Sequence, residues 1–152
     1  MMSLLAACQP ALNWREVRPA GSGALALFPC KPEVEQRQGM GLAQCEAADR
    51  RFALSWADLT DPIQAGAALK AMPQALAGKL GQVLQPGSAL QVPGMTPMSE
   101  AAQYRIAGAG GVTRVAVFAH GGRVYQALLT AERDDEVVWE TFRAGLAIEV
   151  AR

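Results

Sequence analysis

His120 is the single histidine of the chain, and it opens a Gly-Gly turn, His120-Gly121-Gly122. An imidazole works as a general base only when a nucleophile or carboxylate lies within hydrogen-bond reach. The sequence sets none beside it, and a water-exposed turn residue is the simpler reading. Asp134, Asp135 and Glu136 form an acidic run able to ligate a hard cation. The same run suits the first turn of a helix, where carboxylates satisfy free amide groups, with Asp134 as the cap. No metal is expected, because there is no C-x-x-C and only one histidine. Gly21-Ser22-Gly23-Ala24-Leu25-Ala26 matches G-x-G-x-x-A, but a strand ending at Pro29 follows it. A pyrophosphate would need a helix N-terminus there. The Gly108-Ala109-Gly110-Gly111 stretch lacks a following helix and reads as a hairpin turn. G-x-S-x-G, Walker A and H-E-x-x-H are all missing. No catalytic residue is assigned and no cofactor is expected. What remains is a weak ligand-binding set, Trp14, Trp56, Tyr104, Tyr125 and His120, whose aromatic members serve equally as core packing. Met95 and Met98 sit in a Pro-rich stretch that reads as a connecting loop.

The three cysteines divide into one and two. Leu5-Ala6-Ala7-Cys8 looks like the lipobox of bacterial lipoproteins, in which small residues precede a cysteine that becomes acylated. Only seven residues precede Cys8 and none is basic, whereas a signal peptide needs a charged start and about 7–15 apolar residues. Two readings stand: a lipidation site whose signal continues upstream of Met1, or an ordinary cysteine near a terminus. Cys30 and Cys45 lie on either side of a Gly-bearing stretch. As a disulfide they would imply an oxidising compartment; as buried free thiols they would fit the cytosol.

Apolar residues make up 51% of the 152 and charged ones 18%, enough to build a core and too few charges for a disordered chain. Fourteen basic and fourteen acidic residues cancel. With no basic cluster, nucleic acid is not an expected partner, and an anionic membrane surface has nothing to attract. No apolar run reaches the length of a spanning helix.

The elements that position these residues follow from periodicity. Asn13–Val17 reads as a short strand, and Ala24–Phe28 as a second one stopped by Pro29 and Pro32, with Glu33–Gln38 as its hairpin partner. The stretch Cys45–Leu59 carries a half-buried strand, with Phe52, Leu54 and Trp56 on one face and Ala53, Ser55 and Ala57 on the other. Asp61 caps a helix over 62–80 that opens on Pro62, with Leu69, Met72, Leu76 and Leu80 as its apolar stripe and a kink before Pro73. One short strand is expected around Ala89–Val92. Runs 101–107, 112–119 and 123–130, separated by glycine turns, make an antiparallel meander. A closing helix over 134–147 buries Val138, Phe142 and Leu146. The fold class is therefore α+β, an antiparallel sheet of about five to seven strands with two main helices packed on it.

Trp14-Arg15-Glu16-Val17 leading into Leu25–Pro32, then Phe52–Leu59 before a helix, then Gly121-Gly122-Arg123-Val124-Tyr125 in a hairpin and a closing Trp139–Glu149, resembles the PsbP-like, Mog-type α-β-α sandwich. Gly145 and Leu146 stand where members of that family often carry Ser-Phe. The resemblance spans about Trp14 to Ile148. It implies a single PsbP-like domain over 14–152, and the lipobox reading of Cys8 makes 1–13 a signal remnant and tether before it. That fold recurs in small bacterial lipoproteins of unknown function and in photosystem oxygen-evolving-complex subunits. The resemblance further implies a non-enzymatic, lipid-anchored domain on the periplasmic side of a membrane, the outer membrane given Gln9 after Cys8. Its role would be to bind or scaffold an unidentified envelope protein. The alternative is a small-ligand-binding or enzymatic domain whose site the sequence hides.

Overall fold

A computed structural model describes residues 12–149; Cys8 and most of the 1–13 segment lie outside the described residues. The chain runs β1 (Arg15–Val17), β2 (Ala24–Phe28), β3 (Glu33–Arg37), β4 (Met40–Ala47), β5 (Arg50–Asp58), α1 (Ala65–Lys79), β6 (Ser88–Ala89), β7 (Ala102–Gly108), β8 (Gly111–His120), β9 (Arg123–Ala131), α2 (Glu136–Ala144) and β10 (Ala147–Ile148). Seven strands form one sheet in the order β3-β4-β5-β9-β8-β7-β6, and β1-β2-β10 form a second, three-stranded one. Every pairing is antiparallel.

The large sheet is apolar on both faces, which is what requires a layer on each side. Register puts Phe52, Leu54 and Trp56 of β5 beside Leu129, Ala127 and Tyr125 of β9, and Ala116 and Phe118 of β8 next in line. All of them are buried. Onto this face pack β2, through Phe28, and α2, through Phe142 and Trp139. The opposite face carries Val115, Val117 and Ala119 of β8 and Ile106 of β7, and α1 covers it along β8 and β9. Two helices on mostly antiparallel sheets is the expected class. The layer over Phe52 differs, because it is shared between α2 and a small sheet and so holds more strand than a helical layer would.

Local chemistry explains most boundaries. Asp61 accepts a hydrogen bond from the Ile63 amide at 3.0 Å, and Pro62 opens the helical segment as a single 3-10 turn before α1. At the far end Gly81, at φ +69°, reverses the backbone. The Gln82 amide then bonds the Ala77 carbonyl, and the Gly81 amide bonds Gly78. This is a Schellman closure, and it uses two of the helix's free carbonyls. The buried side of α1 is Ala65, Leu69, Pro73 and Ala77, a strict i, i+4 row. The expected stripe is thus corrected: Pro73 lies inside a continuous helix and belongs to the contact face, while Leu80 is 44% exposed.

Three other expectations change, and one turn is added. Glu33–Arg37 pairs with β4, not with Ala24–Phe28, which lies between β1 and β10. The strand expected through 52–57 is β5, and a turn the sequence did not announce, Ala48 and Asp49 at φ +50° and +61°, joins it to β4 as a hairpin. Asp135, not Asp134, caps α2, its side chain accepting from the Val138 amide at 3.1 Å. That helix ends at Ala144, so Leu146 is buried beyond it, and Ala147–Ile148 adds to β2 instead of continuing the helix.

The β4–β5 turn carries a testable cost. Two consecutive residues at positive φ define a type I′ turn, which favours Asn or Gly at the first position, while alanine there crowds its own backbone. Ala48→Asn is expected to stabilise the protein by about 0.5–1 kcal/mol, raising Tm by about 2 °C. Thermal melts of the two proteins check this; an unchanged or lower Tm would show that the turn is relaxed with alanine.

Candidate functional site

The five aromatic and imidazole candidates fall in three places. Trp14, Trp56 and Tyr125 all belong to the Phe52 face. Trp14 meets Phe52 edge-on at 5.7 Å, and the buried Trp56 ring lies across Gly41 of β4. A Cβ at Gly41 would come within 2.1 Å of that ring, so the glycine is what lets the indole lie flat. Tyr125 stacks on Phe118 at 5.0 Å and donates its hydroxyl to the Ser22 carbonyl at 2.7 Å. Burial raises the pKa of this phenol, while the nearby Arg123 works against the rise. Tyr104 sits on the opposite face beside Gly87 at the β6–β7 edge. His120 is exposed at the end of β8, its Nδ1 3.0 Å from the Gly94 carbonyl, and it ties the 93–96 loop to the meander. These side chains line no common pocket among the described residues. Three of them are packing, one is an edge contact and one is a loop tie.

Cys30 and Cys45 do come together. They form a disulfide with Cα atoms 6.1 Å apart, joining the segment before β3 to β4. Beside it lies a surface groove of about 450 Å³ lined by both cysteines with Lys31, Glu33, Gln44, Glu46 and Arg51. Gln44, Glu46 and Arg51 reach it because they share one side of β4 and β5, opposite to Phe52. Glu46 is already engaged, accepting from Arg51 at 2.9 Å. The charged side chains were invisible as a group in the sequence. They span 31 to 51, and only the β3-β4-β5 register gathers them.

The acidic run at 134–136 is occupied by ion pairing and capping. Arg114 grips both oxygens of Asp134, Nε to Oδ1 at 2.9 Å and Nη2 to Oδ2 at 2.8 Å, and Arg105 adds a bond at 2.9 Å. Asp135 accepts from Arg50 at 2.7 Å while capping α2, so it pins the helix start to the β4–β5 hairpin. Hydrogen bonding by Arg114 first, and by Arg105 after it, holds the Asp134 carboxyl at about 2, against the opposing effect of burial. Because the folded-state value lies below the ordinary carboxylate range, the stabilisation is complete above about pH 4 and fades as pH falls toward 2. Asp134→Asn is expected to cost about 1–2 kcal/mol at pH 7, after allowing for screening by solvent at a side chain 26% exposed. Urea titrations at pH 7 and near pH 2 check the sign, since the difference between the two proteins should shrink at the lower pH.

Arg123 makes a second bidentate pair, to Asp58 at 2.7 and 3.1 Å, and also donates to the Gly21 carbonyl. The hydrogen bond from Arg123 lowers the Asp58 pKa. This pair clamps the ends of β5 and β9 to the turn before β2. Among the described residues no three His, Cys, Asp or Glu side chains are gathered as a metal site would need, and no helix is long and apolar enough to cross a membrane.

A seven-stranded antiparallel sheet covered by α1 on one face and by β1-β2-β10 with α2 on the other is a PsbP-like fold. The solution structure of cyanobacterial PsbP (CyanoP) from Synechocystis sp. PCC 6803 superposes with a TM-score of 0.53 at 9% sequence identity, covering 89% of this chain and 92% of that one. No profile of a known protein family matches the chain, and no curated protein sequence does. The likeness is one of fold.

Proposed function

We propose that the chain is a non-enzymatic, lipid-anchored domain of the bacterial envelope, on the periplasmic side and at the outer membrane, that binds or scaffolds another envelope protein. The observation that carries this reading is the Cys30–Cys45 disulfide. A structural disulfide persists where the surroundings are oxidising, which the periplasm is and the bacterial cytosol is not. With Cys30 and Cys45 joined, Cys8 is the one cysteine left over, and it is the one preceded by Leu5-Ala6-Ala7. The PsbP-like fold supports the same reading, as does the employment of the aromatic residues in packing rather than around a cavity.

The experiment is to express the full gene with its upstream codons and label the cells with a fatty-acid analogue. The native protein should take up label and sediment with membranes. Cys8→Ser should abolish both, because acyl chains are the anchor on this reading. Continued sedimentation of the Ser variant, or a lack of label on the native protein, would make Cys8 an ordinary cysteine and remove the anchor.

A further inference from the structure

We propose that the open edge of β3 receives an extended segment of another polypeptide as an added strand, and that the edge selects a segment reading acidic-x-basic-x-basic-x-acidic. This rests on the binding role proposed above and gives it a place and a partner chemistry.

The hydrogen-bond phase of the sheet shows which groups are free. The Asp58 amide donates to the Gly39 carbonyl at 2.6 Å, continuing the register that sets Met40 against Ala57. Exchange with β5 therefore falls on Gly41, Ala43, Cys45 and Ala47, and the intervening Met40, Leu42 and Gln44 turn their backbone groups toward β3. Their partners Arg37, Glu35 and Glu33 are consumed in that ladder. The N–H and C=O of Val34 and Gln36 consequently point away from the sheet. β3 is the terminal strand in the order, and all five of its residues are exposed. An edge of this kind is a template for strand addition.

The edge is also held in shape. The disulfide fixes the chain just before β3, and the two-residue Gln38-Gly39 turn, with Gly39 at φ +73°, fixes its end. A preformed strand loses little conformational freedom when a partner pairs with it.

Charge then decides the partner. Lys31, Glu33, Glu35 and Arg37 are alternate residues, and Lys31 and Glu33 line the groove beside the disulfide on one side of the strand. None of the four forms an ion pair among the described residues, although the neighbouring Glu46 and Arg51 do. Their order, plus-minus-minus-plus, reads the same in either direction. Two copies of the edge in full overlap would set like against like, whether parallel or antiparallel about Val34, and like charges directly opposite destabilise a pair. A strand of the opposite order satisfies all four positions in either direction. Val34, 38% exposed on the other side of the strand, offers an apolar contact to one of the intervening residues. Rejection of self and acceptance of the complement thus come from the same four side chains.

The test uses the full chain and two labelled nine-residue peptides, acetyl-TEVKVRVET-amide and its charge-swapped form acetyl-TKVEVEVKT-amide. Fluorescence anisotropy should show the first binding at least tenfold more tightly than the second. Amide shifts in NMR should be confined to β3, β4 and the segment around Lys31. Val34→Pro removes an N–H that the β4 ladder does not use, so the variant should fold and weaken binding at least tenfold. If that variant does not fold, the fourfold exchange Lys31→Glu, Glu33→Lys, Glu35→Lys and Arg37→Glu decides, since it should invert the preference between the peptides. No binding up to about 1 mM peptide, equal binding of both peptides, or shifts centred elsewhere would overturn the inference. So would dimerisation of the chain through this edge in sedimentation. Those results leave the Cys8 labelling experiment standing, so the edge and the anchored-domain reading fail separately.

Discussion

Phe142→Ala is expected to cost about 3–5 kcal/mol, the range for truncating a fully buried phenylalanine. The ring is wholly buried and meets three others: Phe28 at 5.5 Å, Phe52 at 5.3 Å and Trp139 at 6.3 Å. Phe28 belongs to the small sheet, Phe52 to the large one and Trp139 to α2 itself, so this side chain is where three elements meet. Removing it leaves a cavity that none of them can fill without leaving the others. The Trp139 indole gives a second handle, since its Nε1 donates to Gln103 of β7 at 2.9 Å and ties α2 to the β7 end of the same sheet face. Urea denaturation followed by tryptophan fluorescence measures the loss. A cost below about 1 kcal/mol would mean that α2 is not a structural part of the core.

Loss of the disulfide is expected to be the second large effect. The bridge spans 15 positions, and closing a loop of that length is worth about 3 kcal/mol through the entropy of the unfolded chain. Cys30→Ala with Cys45→Ala should therefore lower Tm by about 6–12 °C. The damage should be local, because among the described residues β3 pairs only with β4, and the bridge pins the chain just before it to that strand. Hydrogen exchange should accelerate in β3 more than in β8 or β9. Alkylation of periplasmically expressed protein, with and without reductant, checks the premise. Thiols at 30 and 45 that alkylate without reductant would refute the bridge and take away the observation on which the envelope assignment rests.

The meander shows what was legible in the sequence. The runs 101–107, 112–119 and 123–130 correspond to β7, β8 and β9 almost residue for residue, because period-two alternation and glycine turns are local signals. Gly111 and Gly121 do adopt positive φ there. The β4–β5 turn was illegible for the matching reason: Ala48 and Asp49 also take positive φ, with no glycine to announce it. The weak ligand-binding set was drawn from residue type alone, and type does not say whether an indole lines a pocket or lies on a glycine one strand away.

By itself the sequence determined the α+β class, the meander, both helices and the N-cap at Asp61. Each depends on contacts within a few residues, where spacing and propensity act directly. Only the tertiary structure decided that β3 turns to β4 rather than β2, that Asp134 joins two arginines while Asp135 caps, and that Pro73 faces the core. It alone also decided that Lys31, Glu33, Glu46 and Arg51 share a groove beside the disulfide. Those outcomes depend on which strand is neighbour to which and in what register. A one-residue shift of register exchanges the two faces of a strand, and nothing local to any one of these residues carries that information.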